Sequence, residues 1–168
     1  MVCRQPGRKG FVLIATCVAL IILLGLAVFG IDLGRMSMIK SEAQAFTDAA
    51  ALAAALEMDG SKEGLARART AALQSAGGPS AMRWDMGSRT FTDISVQFGK
   101  DSGSGVPDPK SWLGEPQSPS DYRFVRVVAT ARAPLIFLRV FEPLRPDASV
   151  VAASSVALKT PEATRLVE

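Results

Sequence analysis

The side chains able to do chemistry are few, and their spacing does not suit it. Histidine is absent from all 168 residues, which excludes imidazole acid–base catalysis, histidine-based triads and zinc sites with histidine ligands. An acid–base pair would have to come from Asp85, Asp93, Asp101, Asp108 or Asp121, which stand mostly in Gly-, Ser- and Pro-rich stretches without a recognisable catalytic spacing. Gly99-Lys100-Asp101-Ser102-Gly103-Ser104-Gly105 has the composition of a phosphate loop but not its order, because no Lys-Ser/Thr follows the last glycine. Asp101, Ser104 and Asp108 would make a loose calcium loop at best, with no bidentate glutamate to close it. These residues therefore predict no enzyme, no cofactor, no metal and no small-molecule substrate.

Charge and cysteine usage narrow the partners. The first 31 residues hold Arg4, Arg8 and Lys9 and no acid, so residues 32–168 carry 16 basic and 16 acidic groups. The net +3 belongs to the N-terminus. A balanced remainder offers phosphates no basic field, and nucleic acid is excluded as a partner. Cys3 and Cys17 both lie near the start, so nothing downstream can form a disulfide with either. With no asparagine in the chain there is no N-glycosylation acceptor.

The element that must position everything else is the run from Phe11 to Ile31, 21 residues without a charge. As a helix it spans about 31 Å, the hydrocarbon thickness of a bilayer. A transmembrane helix is expected, and the basic residues before it put the N-terminus in the cytoplasm. A cleaved secretory signal fits less well, because the apolar run continues directly into more helix. Cys17 is read as a small membrane-helix residue.

From Asp32 to Met58 there is no proline, and Met36, Ile39, Ala43, Phe46, Ala50 and Ala53 recur at a spacing of three to four. The membrane helix is expected to run on as a stalk to about Met58, its small-residue seam packed on the rest of the chain or on another subunit. Ser61 reads as the N-cap of a second helix with Leu65, Ala68, Ala72, Leu73 and Ala76 on one face, stopped by Gly77-Gly78-Pro79. Strands are expected over 93–98, 124–133 and 149–159, the last with Val150, Ala152, Val156 and Leu158 on its apolar side. Residues 100–121 read as a long exposed loop, the part most prone to disorder. Pro134 opens a short helix in which Ile136, Phe137, Arg139 and Phe141 form either a crossover buried on the sheet or a surface for a partner or the bilayer.

The fold class expected is α+β: a long N-terminal helix, transmembrane and then extramembrane, with a small, mainly antiparallel sheet head. Its divisions are a basic N-terminus at 1–10, the membrane span at 11–31, its extracytoplasmic continuation at 32–58 and a head over 59–168. Where the helix leaves the membrane, Gly30 and Gly34 have the spacing of a helix-packing pair. Asp32 and Arg35, three apart, form either a local ion pair at head-group level or a polar contact for a partner.

Several of these runs together resemble a known family. Arg8-Lys9-Gly10, the apolar helix, Gly30-Ile31-Asp32-Leu33-Gly34-Arg35, Gln44 and then Asp48-Ala49-Ala50-Ala51-Leu52-Ala53-Ala54-Ala55 resemble the N-terminal segment of the TadE/TadG-like Flp pilus-assembly proteins. The stretch from Phe124 through Pro134 to Leu158 is similar to the ending of short TadG-like proteins, which lack a von Willebrand A domain. The resemblance implies a non-enzymatic component of a bacterial tight-adherence (Flp type IVb) pilus system, anchored in the inner membrane with a periplasmic head. Its implied partners are the lipid bilayer and other pilus-assembly proteins or pilins. Gly10-Phe11 is also similar to the cleavage site of type IV prepilins, although Ala15 stands where pilins usually carry glutamate. Two alternatives stay open: a minor pilin processed after Gly10, and a generic membrane-tethered binding module.

Overall fold

The structure, a computed structural model, describes residues 8–74, 83–84, 89–91, 93–135 and 150–159. Helix α1 runs unbroken from Arg8 to Glu57. Its sequence explains the length: no proline interrupts it, and the residues after the apolar span are dominated by alanine, the best helix former. It stops before Asp59-Gly60, where Gly60 takes φ 83°, a left-handed conformation that costs glycine little. Helix α2, Lys62–Gln74, follows after a short turn.

Strands β1 (Arg83–Trp84) and β2 (Arg89–Thr90) form a small antiparallel pair that the periodicity did not announce. The main sheet has three antiparallel strands in the order β3 (Asp93–Lys100), β4 (Tyr122–Arg132) and β5 (Val150–Leu158). Its register sets Val96 opposite Val127 and Val127 opposite Ser155. The expected α+β class, long helix and three strands are therefore present, with ends moved by one or two residues.

The chain divides into two compact units, Met1–Ser37 with Pro134–Ser149, and Met38–Ala133 with Val150–Glu168. In the first, the described helix from Phe11 to Leu26 is exposed at every large apolar residue, Phe11 at 75% and Ile21 at 69%. Asp32 is its exception, a fully buried acid. In the second, one face of the sheet (Val96, Phe98, Val125, Val127, Ala129, Val151, Ala153) is buried, as are Ile39, Ala43, Phe46, Ala50 and Ala54 of α1 and Leu65, Ala68 and Ala72 of α2. Burying side chains such as Phe98 and Val127 stabilises by about 1.5–3 kcal/mol each.

Two sequence expectations need correcting. The apolar side of β5 was assigned to Val150, Ala152, Val156 and Leu158, but the strand buries Val151, Ala153 and Ser155 while Ala152, Val156 and Leu158 are exposed. Both sides of β5 are small or apolar, and the choice falls to the side whose serine finds polar partners on α1. Residues 100–121, expected as the part most prone to disorder, are mostly exposed but tied to β3. Phe98 exchanges backbone hydrogen bonds with Leu113 at 2.8 and 2.9 Å, and Lys100 N–H donates to Ser111 Oγ at 2.8 Å. Trp112 lies over Gly99, where a Cβ would come within 2.8 Å of the indole, and the Arg126 guanidinium stacks on the same ring at 4.5 Å.

Candidate anchor and helix-docking site

The N-terminal part of α1 is apolar and largely exposed. Its most apolar 18-residue window has a mean hydropathy of 3.0 with none of it buried, so the helix is long and apolar enough to cross a membrane. Its one described hydroxyl in the span, Thr16, donates back to the Val12 and Leu13 carbonyls at 3.0 and 2.9 Å, as a helix in hydrocarbon requires of its polar groups. Gly10 falls in the first helical turn, next to exposed Phe11. Among the described residues, a Cβ at Gly30 or Gly34 would meet nothing within 4 Å, so no contact there uses their small size. Arg35 is half-buried beside fully buried Asp32, and both have bonded or electrostatic partners. Ile136, Phe137, Arg139 and Phe141 lie outside the described residues, as do Gly77, Gly78 and Pro79.

Further along α1 the seam does what one of its two readings required, since it packs within the chain. Ile39, Ala43, Phe46 and Ala50 are buried, with Met36 and Ala53 half-buried. The Phe46 ring lies 5.0 Å from that of Phe91. Where Ala43 and Ala50 allow close approach, a polar clasp joins helix to sheet. Gln44 Nε2 donates to Ser155 Oγ and to Asp48 Oδ1, both at 2.9 Å. Thr47 and Ser155 share a hydrogen bond at 2.8 Å, and Ser155 Oγ donates to Asp48 Oδ1. Thr47 is fully buried and Ser155 nearly so, so their hydroxyls need these partners.

Sequence reasoning missed this cluster. Gln44 and Asp48 belong to the runs that carry the family resemblance, but nothing local ties them to a serine more than a hundred residues away. The one signal was polarity at a buried position: Ser155 interrupts an alternation in which Val151 and Ala153 precede it on the same face. A hydroxyl bonded to a carboxylate also occurs in catalytic sites; here the Ser155 hydroxyl is buried against α1 while the Asp48 carboxylate stays exposed beside it. Among the described residues no three His, Cys, Asp or Glu stand close enough to hold a metal.

The end of the docked helix is fixed by a second cluster. Ser61 caps α2, its Oγ accepting from Gly64 N–H at 2.9 Å, as its position before the helix predicts. Asp59 in turn accepts from the Ser61 hydroxyl at 2.5 Å and amide at 2.8 Å, and from Arg67 at 2.5 Å. The two Ser61 bonds, and then Arg67, hold the Asp59 carboxyl well below the usual carboxylate range. Arg67 also reaches Glu57 at 3.3 Å, and Lys159 from the end of β5 donates to the Leu56 carbonyl at 3.3 Å. A cation on a terminal helix carbonyl complements the negative end of the helix dipole.

Comparison with known proteins agrees with this geometry. Residues 10–57 match the model of the family described as Putative Flp pilus-assembly TadE/G-like. No curated protein and no solved structure matches the chain. The matched stretch takes in the apolar run, Asp32 to Arg35 and the seam with Gln44 and Asp48: over its N-terminal helix the chain is matched by the TadE/G-like family.

Proposed function

We propose that this chain is a non-enzymatic, single-pass membrane component of tight-adherence (Flp type IVb) pilus assembly. Residues 1–10 lie in the cytoplasm of a bacterium, 11–31 cross the inner membrane, and 32–168 stand on the periplasmic side, offering surface to other assembly proteins or pilins. The observation that carries this reading is the coincidence of the family match over 10–57 with a helix whose apolar window has no buried residue. A helix free of charge through the span serves as an anchor for the residues that follow it. Gly30 and Gly34, open on the helix surface, supply the helix-packing face in this reading, and Asp32 and Arg35 the polar exit. Ile136, Phe137, Arg139 and Phe141 are the proposed partner surface.

A second reading is kept because Gly10 and Phe11 occupy the first turn of α1 with Phe11 exposed, as a peptidase cutting after Gly10 would need. In that reading the chain is a minor pilin released from its basic N-terminus. Intact-mass analysis of protein purified from native membranes, with and without the prepilin peptidase, separates the two. A chain that keeps Arg4, Arg8 and Lys9 in both strains is a permanent anchor, and one that begins at Phe11 only with the peptidase present is a processed pilin. Purification alongside pilus-assembly proteins supports both. A chain that co-purifies with none of them is a membrane-tethered binding module outside pilus assembly.

A further inference from the structure

Along an antiparallel strand the backbone groups point alternately toward and away from the neighbouring strand. In β3, Phe98 exchanges both its bonds with Leu113, and Lys100 bonds Ser111 Oγ through its N–H and Asp108 N–H through its carbonyl at 3.0 Å. These two residues therefore face away from β4, and so do Ile94 and Val96 at the same alternation. The segment that fills the edge at Phe98 does not continue past it. Arg69 of α2 donates to the Gly114 carbonyl at 2.5 Å, and the chain leaves the edge there. The outward N–H and C=O groups of Ile94 and Val96 have no partner among the described residues. Where the chain departs, it leaves a cavity of about 610 Å³ lined by Lys62, Leu65, Arg69, Phe98 and Glu115 among others.

We propose that this half-filled edge is a strand-addition site. It takes an extended segment of a partner protein, antiparallel to β3 opposite Ile94 and Val96, with an acidic residue at the segment's amino-terminal end. The direction follows from continuity. The incoming strand extends the line of Leu113, which is already antiparallel to β3, beyond the point where this chain turns off. The acidic preference follows from charge. The cavity beside Phe98 carries Lys62 and Arg69 against Glu115 alone, and Glu115 is 88% exposed and only 3.5 Å from Arg69. Main-chain bonds at Ile94 and Val96 would give affinity, and the cavity would give selectivity for the first side chain. The inference goes beyond the pilus reading and stands or falls apart from it.

The test uses the full chain, isotopically labelled, in detergent micelles or nanodiscs. The probe is an acetylated hexapeptide of one glutamate followed by alternating valine and threonine. In the free protein the Ile94 and Val96 amides should exchange with solvent much faster than those of Ser95 and Gln97, which bond β4. Peptide should protect Ile94 and Val96. Ile94→Pro removes an outward N–H without touching the β4 ladder, a place where an edge strand accepts proline, and should weaken binding about tenfold. Ile94→Ala, which keeps the N–H, should leave binding within about threefold, and a lysine in place of the peptide's glutamate should weaken it. Protection of Ile94 and Val96 before peptide is added would overturn the proposal. So would protection that appears only elsewhere, or no binding at millimolar peptide. Protection that rises with protein concentration alone would assign the edge to a second copy and overturn the partner assignment.

Discussion

Asp59 shows how one carboxylate can fix the junction of two helices. It ties Ser61, the cap of α2, to Arg67 in the body of the same helix, while Gly64 leaves it room: a Cβ there would lie 1.9 Å from Asp59 Oδ1. Gly64→Ala should therefore displace the carboxylate and lower the melting temperature of the full chain in detergent, although alanine is the better helix former. The same carboxylate sets a pH dependence. Its folded pKa is depressed, so the stability it adds is present above its unfolded value of about 4 and is lost as pH falls through the folded value. Asp121, lowered by its bond to Lys100, has the same sign. Melting followed from about pH 7 down to about pH 3 should show stability falling below about pH 4, with a smaller fall in Asp59→Asn. At the clasp, Ser155→Ala should cost about 1–2 kcal/mol, because it strips a partner from Thr47 in the core. Adding Thr47→Val to Ser155→Ala should cost less than the two single losses combined, since no buried hydroxyl is then left partly bonded.

At the scale of elements, the two sides of α1 beyond Ser37 predict opposite responses to the same change. Ala50 is fully buried in the seam, whereas Ala49 beside it is exposed. Ala50→Leu should force the helix off the sheet locally and cost about 1–3 kcal/mol, while Ala49→Leu should stay within about 0.5 kcal/mol. Denaturant unfolding of the two variants checks the pair. The seam that makes this prediction was legible from spacing alone, because a helix repeats every 3.6 residues and Ile39, Ala43, Phe46 and Ala50 keep that step. The three long strands were legible for the same reason at a period of two. What was not legible depends on contacts distant in sequence. The buried side of β5 was decided by Gln44 and Asp48 on a helix, and the order of residues 100–121 by Trp112 finding a strand glycine to lie on. The β1–β2 pair, two residues a strand, is too short for any period to register.

For the molecule as a whole, the arrangement proposed is a question of which side of the bilayer each end occupies, and the charges make it testable. Arg4, Arg8 and Lys9 precede the apolar span without one acid among them, while the residues after it balance in charge. Retention of basic residues in the cytoplasm orients a single span. With Cys3 and Cys17 both changed to serine, a single cysteine introduced by Ser104→Cys, in the exposed loop, should react in intact spheroplasts with a membrane-impermeant maleimide. One introduced by Gln5→Cys should react only after the membrane is opened. The reverse pattern would put the sheet in the cytoplasm and remove the periplasmic assembly role; labelling of both sites in intact spheroplasts would mean that the helix does not span. Changing Arg4, Arg8 and Lys9 together to glutamate should then reduce the fraction of chains labelled at Ser104→Cys, because it removes the asymmetry that orients the span. If that fraction stays unchanged, orientation is set instead by the folded residues beyond the helix, and the basic N-terminus has some other use.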